Sequence, residues 1–246
     1  MAVAIPVVNA PDLYVDGLAV SWASNTTLSV ALGRARNSTD VNDIILDAAV
    51  TINAAVNGLN GLDTGSLAAS TMYAVYVVGS SLGAVDPGAM ISLASSSSPL
   101  LPTNCDMYRR IGWALTDGSS HFLLFYQYGS DKTRQYYYDV GISELSGGAA
   151  TSFTAIDLAT SVPPIATNVI MDILFTPDGA TEVAEFLPFG SSASNGIVRF
   201  GCGVAAAQQG SITVPCQLGS GVPKVLYKVA SGDTLTLLTV GYYDYL

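Results

Sequence analysis

Charge is the scarcest thing in this chain: Asp, Glu, Lys and Arg together make up 11% of 246 residues, while half the residues are hydrophobic. A chain that ionises so little must bury much of itself on folding, cover itself with other subunits, or do both. Bases are rarer than acids, 9 against 19, for a formal charge of −10. The molecule as a whole therefore repels nucleic acid and anionic lipid, and no stripe of bases with interleaved aromatics marks a nucleic-acid face. Arg109 and Arg110 form the only adjacent basic pair.

There is one histidine, His121, and there are three cysteines, Cys105, Cys202 and Cys216, an odd count without C-x-x-C spacing. That leaves no four-ligand zinc set. Cys202 and Cys216 are the pair to consider for a bridge across neighbouring strands, but in a reducing compartment such residues behave as small buried hydrophobes. No apolar run reaches the roughly 18 residues of a membrane helix. Asp12 and Asp16 interrupt the N-terminal region as a secretory core, so the expectation is synthesis and retention in the cytosol until assembly, without membrane insertion. Asn25-Thr26-Thr27 and Asn37-Ser38-Thr39 then read as turn chemistry, not glycosylation sites. No fixed-period repeat, heptad or collagen-like stretch is present, so no fibre shaft is encoded.

What is present is the rhythm of short strands and turns. A chain of this length can bury roughly 70–75% of its extended surface without disulfides or metals. Aromatic or β-branched runs occupy 73–78, 111–115, 122–128 and 134–140, and later 169–175, 182–186, 196–200, 211–214, 224–229 and 234–242. Each is bounded by Gly, Ser, Asp or Pro, as strands are. From Val50 to Val56 apolar residues alternate with Thr51 and Asn53; the Asn57-Gly58 and Asn60-Gly61 turns favour this strand over a helix through Asp43 to Ala55. Thr176-Pro177-Asp178-Gly179 is a β-turn that should join two adjacent strands. Ser95 to Ser98, before Pro99, is linker-like, and the Gly- and Ala-rich Glu144 to Thr151 stretch is the better domain boundary. The expected fold is all-β with little helix, in two sandwich- or jelly-roll-like parts, residues 1–146 and 147–246.

The stretch from Leu101 to Gly129 couples the arginine pair to two apolar β-runs around Thr116-Asp117-Gly118-Ser119 and reads as a surface hairpin. Its order, Leu-Pro, a short gap, Tyr, Arg-Arg, Ile-Gly and then Thr-Asp-Gly, resembles a segment of bacteriophage virion proteins, especially tail-fibre and related surface modules. The similarity extends upstream through Gly33-Arg34-Ala35-Arg36-Asn37-Ser38-Thr39, Asn42-Asp43-Ile44, and Gly61-Leu62-Asp63-Thr64-Gly65-Ser66-Leu67 into Tyr73-Ala74-Val75-Tyr76-Val77, roughly the first 130 residues. None of this is a catalytic signature. The resemblance implies a structural module that sits on a tail or on a capsid.

Several constellations invite chemistry. Gly79-Ser80-Ser81-Leu82-Gly83 matches the G-x-S-x-G nucleophile elbow and precedes His121 in hydrolase order, but the Asp86-Pro87-Gly88 turn forbids the helix an elbow needs. Glu182 and Glu185 are the carboxylates a polysaccharide depolymerase would use, yet residues three apart on a strand point to opposite faces. Asp40, Asp43 and Asp47 lack EF-hand spacing and suit a turn better than calcium. Non-enzymatic contact is the favoured role, and no cofactor or metal is expected. Tyr136 and Tyr138 share a strand face and, with Arg109 and Arg110, form the candidate contact patch, with core packing as the rival. Tyr242, Tyr243, Tyr245 and Leu246 are candidate oligomer contacts along an edge.

Together these readings lead to a non-enzymatic surface protein of a virion, assembled in the host cytoplasm. A tail fibre, spike or host-attachment component comes first, and capsid decoration second. Its expected partners are further copies of itself, in a trimer ahead of other states, other virion proteins, and a host surface glycan or protein.

Overall fold

The computed structural model describes residues 13–93, 99–129, 132–192 and 197–246; the Ser95–Ser98 linker and Asp12 lie outside them. Along the chain the strands are β1 (Val15–Gly17), β2 (Val20–Ser24), β3 (Thr27–Val30), β4 (Gly33–Arg36), β5 (Asp43–Leu46), β6 (Val50–Asn53), β7 (Met72–Gly79), β8 (Gly88–Ser92) and β9 (Met107–Leu115). They continue as β10 (Phe125–Tyr128), β11 (Thr133–Gly148), β12 (Thr154–Asp157), β13 (Asn168–Thr176), β14 (Val183–Pro188) and β15 (Val198–Gly201). The last four are β16 (Gln208–Pro215), β17 (Gln217–Gly219), β18 (Val222–Lys228) and β19 (Thr234–Tyr245). The protein is all-β, with no helix among the described residues.

Three small antiparallel sheets, ordered β1-β4-β5, β2-β3-β6 and β8-β7-β9, are built from the first half of the chain. β7 and β8 are nearly continuous apolar runs because both their faces are covered: Tyr73 through Gly79 and Gly88 through Ser92 are all buried. Two five-stranded sheets follow. One is ordered β10-β11-β19-β13-β16; the other is β12-β18-β14-β15, with β17 also on β18. Their facing side chains, among them Met171, Phe175, Leu235 and Leu237 on one and Ile156, Phe186, Val225 and Tyr227 on the other, join one continuous apolar core with those of the first half. The strand alternation explains this: Lys224, Leu226 and Lys228 point away while Val225 and Tyr227 point in.

The rival helix through Asp43 to Ala55 does not form; that stretch is β5, a turn and β6, with Ile44, Leu46, Ile52 and Ala54 buried at strand spacing. Thr176-Pro177-Asp178-Gly179 turns the chain, but β13 and β14 lie in different sheets, so it is a crossover between layers instead of a hairpin. Asp233 accepts a hydrogen bond from the Asp178 amide at 2.9 Å and holds that corner. The Leu101–Gly129 hairpin is paired only at its tip, where Thr116 bridges Phe122; β9 then leaves to pair β7 and β10 to pair β11. β11 runs through Glu144 to Gly148, and its sheet takes strands from both sides of residue 146.

Candidate functional site

The elbow-like pentapeptide occupies the turn after β7 and leads to β8 without a helix. Ser81 donates its hydroxyl to Asp106 and its amide to the same carboxylate at 2.7 Å. Those bonds hold the Asp106 carboxyl below the usual range. His121 is elsewhere, its Nδ1 3.9 Å from Asp117 Oδ2. β7 and β9 pair from Gly79 with Met107, near Ser81, to Met72 with Leu115, near His121. At about 3.3 Å per residue this separates the two groups by roughly 23 Å, and a nucleophile and its base need hydrogen-bond reach.

Glu182 and Glu185 both line one shallow depression with Lys228 and Thr151. Strand alternation does not separate the two, because Glu182 precedes β14 and is free of its pleat. Glu185 receives Arg199 Nε at 2.8 Å and Lys228 Nζ at 2.5 Å, which hold its carboxyl below the usual range. A carboxylate clamped between two cations stays ionised, the opposite of what a glycosidic general acid requires. Asp43 pairs with Arg36 at 3.3 Å, and Asp40 lies 3.9 Å from Arg109 and accepts the Leu13 amide. Among the described residues no group of three or more His, Cys, Asp or Glu is arranged to hold a metal ion.

The adjacent arginines separate to opposite faces of β9. Arg109 is buried beside Asp40, and burial lowers its pKa. Arg110 lies over the Trp113 ring and donates to Asp244 at 2.6 Å and to the Tyr245 carbonyl at 2.9 Å. Neither presents a free basic contact. The cysteines are unpaired: Cys202 lies near the Glu182 carbonyl, while Cys216 is buried near the Ala166 carbonyl.

Tyr136 and Tyr138 do share a face, but it is the inner one: they are 1% and 8% exposed. Tyr136 stacks on Tyr242 with centroids 4.7 Å apart and planes 13° apart. Tyr138 donates to the Ser161 carbonyl at 2.6 Å, and burial raises the phenol pKa of all three. Tyr136 and Tyr138 are therefore core, not a contact patch. Tyr242 and Leu246 are buried too, whereas Tyr243 is half-buried and Tyr245 is 53% exposed.

The exposed aromatic face is the other side of the same sheet. Registers of β10-β11-β19-β13-β16 set two rows on this side at one end: Tyr126, Tyr137, Gly241, Ile170 and Thr213, with Gly241 and Ile170 buried, then Tyr128, Gln135, Tyr243, Asn168 and Pro215. Tyr245 lies beyond, opposite Thr133. Tyr126 and Tyr128 are 48% and 57% exposed, and Tyr128 meets Tyr137 edge-on at 5.9 Å. At the other end of the strands Asp172, Leu174, Gln209, Ser211, Thr236 and Leu238 line an open concavity of about 550 Å³. The signal was in the alternation of Gln135 to Tyr138, but choosing which parity faces water requires the second sheet. This face can form contacts through rings, hydroxyls and amides with little charge to desolvate. No protein-family model matches the chain, and no curated protein matches it.

Proposed function

We propose that this chain is a non-enzymatic structural protein on the surface of a bacteriophage particle, a tail fibre, spike or other host-attachment component. The single observation behind this reading is the ordered motif run that ends in Leu101–Gly129 and resembles phage fibre modules. The wide outward sheet face, rich in tyrosine and poor in charge, supports a role in contact formation. Its partners on this reading are further copies, other virion proteins and a host surface glycan or protein. Capsid decoration is the second reading, favoured by the low charge and the lack of a shaft-like repeat; acids on the free surface would then keep particles apart.

Localisation on intact particles by cryo-electron microscopy with a labelled antibody is the deciding experiment. Density at the tail tip or fibre supports host attachment, density on the shell supports decoration, and absence from purified infectious particles overturns both.

A further inference from the structure

We infer that the outward face of the β10-β11-β19-β13-β16 sheet is the contact between two copies of this chain, related by a two-fold axis. This deepens the assembly part of the proposed function and rests on it.

Size is the first reason. Five strands about 4.8 Å apart, from 4 residues in β10 to 16 in β11 and rising about 3.3 Å per residue, give a footprint of at least about 600 Å² per copy. Two copies would cover roughly 1,200 Å², the lower edge of the range for stable, specific interfaces. Charge is the second. A chain carrying −10 repels its own copies unless they meet where acids are sparse. Among the outward residues that pair in register on this sheet, Asp172 is the one ionised group, and Asp139 sits at the β11 bulge. Tyr enrichment and acid depletion also distinguish the buried centre of an interface from ordinary surface.

Self-complementarity is the third reason and fixes the symmetry. The projecting rings of Tyr126, Tyr128 and Tyr137 and the concavity beside Leu174, Leu238 and Ser211 lie at diagonally opposite corners of the sheet. A two-fold axis between the copies, running along the other diagonal, sets each tyrosine corner over the partner's concavity. The contact is then isologous, and phenol hydroxyls reach Asp172, Gln209 and Ser211. Strands of the two copies cross steeply, the orthogonal class of sheet packing.

Sedimentation velocity of the full chain across nanomolar to 100-micromolar concentrations tests this. The expected result is a dimer of the 25.4 kDa chain that dissociates on dilution. Leu238→Arg should weaken it about 30-fold or more; Thr236→Arg, at another half-buried position lining the same concavity, should do the same if Leu238→Arg does not fold. Tyr128→Glu, which faces the partner's Asp172, alone should weaken the dimer, and Tyr128→Glu with Ser211→Lys should restore it. A monomer throughout, a trimer, or a dimer unmoved by a folded Thr236→Arg overturns the inference. Each of those outcomes leaves the particle-localisation result intact, so the two readings fail separately.

Discussion

Arg110 donates to Asp244 at 2.6 Å across 134 residues of sequence, which ties β9 of the first half to the last strand of the chain. Asp244 is 1% exposed, and burial raises its carboxyl pKa against the pull of Arg110. Beside it Arg134, with no exposure, donates to the Leu18 carbonyl at 2.9 Å, the Gly17 carbonyl at 2.7 Å and Gln127 at 2.8 Å. A buried charge cluster therefore joins the N-terminal strands, the Leu101–Gly129 segment and the C-terminal sheet.

Arg110→Ala should destabilise the whole protein by about 3–5 kcal/mol, because it strands a buried carboxylate. Denaturant unfolding followed by tyrosine fluorescence and by circular dichroism should show one transition, shifted to lower denaturant. A change below about 1 kcal/mol would mean that the pair is an ordinary surface bridge.

Glu144 sets a pH dependence. Burial holds its carboxyl above the ordinary range, although Thr239 donates to it at 2.8 Å. The folded protein then keeps this proton to higher pH than the unfolded chain does. Its contribution is full below the unfolded value of about 4.3 and declines as pH rises through the raised folded value. Glu144→Gln should remove that decline, so the stability of the variant relative to the parent should grow across that window. Unfolding free energies measured from pH 3 to 8 check it; a constant difference refutes it.

Gly241 of β19 packs against the backbone of β11. A Cβ there would lie 2.1 Å from the Tyr136 carbonyl oxygen. Gly241→Ala should cost about 3 kcal/mol through overpacking, while Gly203→Ala, whose Cβ meets nothing within 4 Å, should stay within about 0.5 kcal/mol of the parent. Melting temperatures of the two variants decide the point.

Ser81 is positioned as a turn residue whose hydroxyl is spent on Asp106. Ser81→Ala should leave any hydrolysis of ester and polysaccharide substrates at the level of the parent protein. Reproducible loss of turnover on that substitution, with the fold intact by circular dichroism, would make it a nucleophile.

Much of the fold was legible because strand alternation and turn chemistry are local. The runs at 73–78, 169–175 and 224–229 became β7, β13 and β18, within a residue or two at most positions. The Asp86-Pro87-Gly88 turn is legible locally in the same way, and the chain passes from β7 to β8 there without a helix. The contact residues were harder. Tyr136 and Tyr137 are neighbours of equal character, and only the sheet packed beneath them makes one core and the other surface. Glu182 misled because one residue outside a strand escapes its pleat.

The amino-acid order alone determined that this chain is all-β, sparsely charged and punctuated by tight turns, since those properties depend on residues within a few positions of one another. Tertiary structure decided which side of each strand meets water, that Arg110 and Arg134 face inward, and that Tyr126, Tyr128, Tyr137, Tyr243 and Tyr245 share one outward surface. The physical reason is that an isolated strand has two equivalent faces, and only pairing and layering against distant segments makes them different.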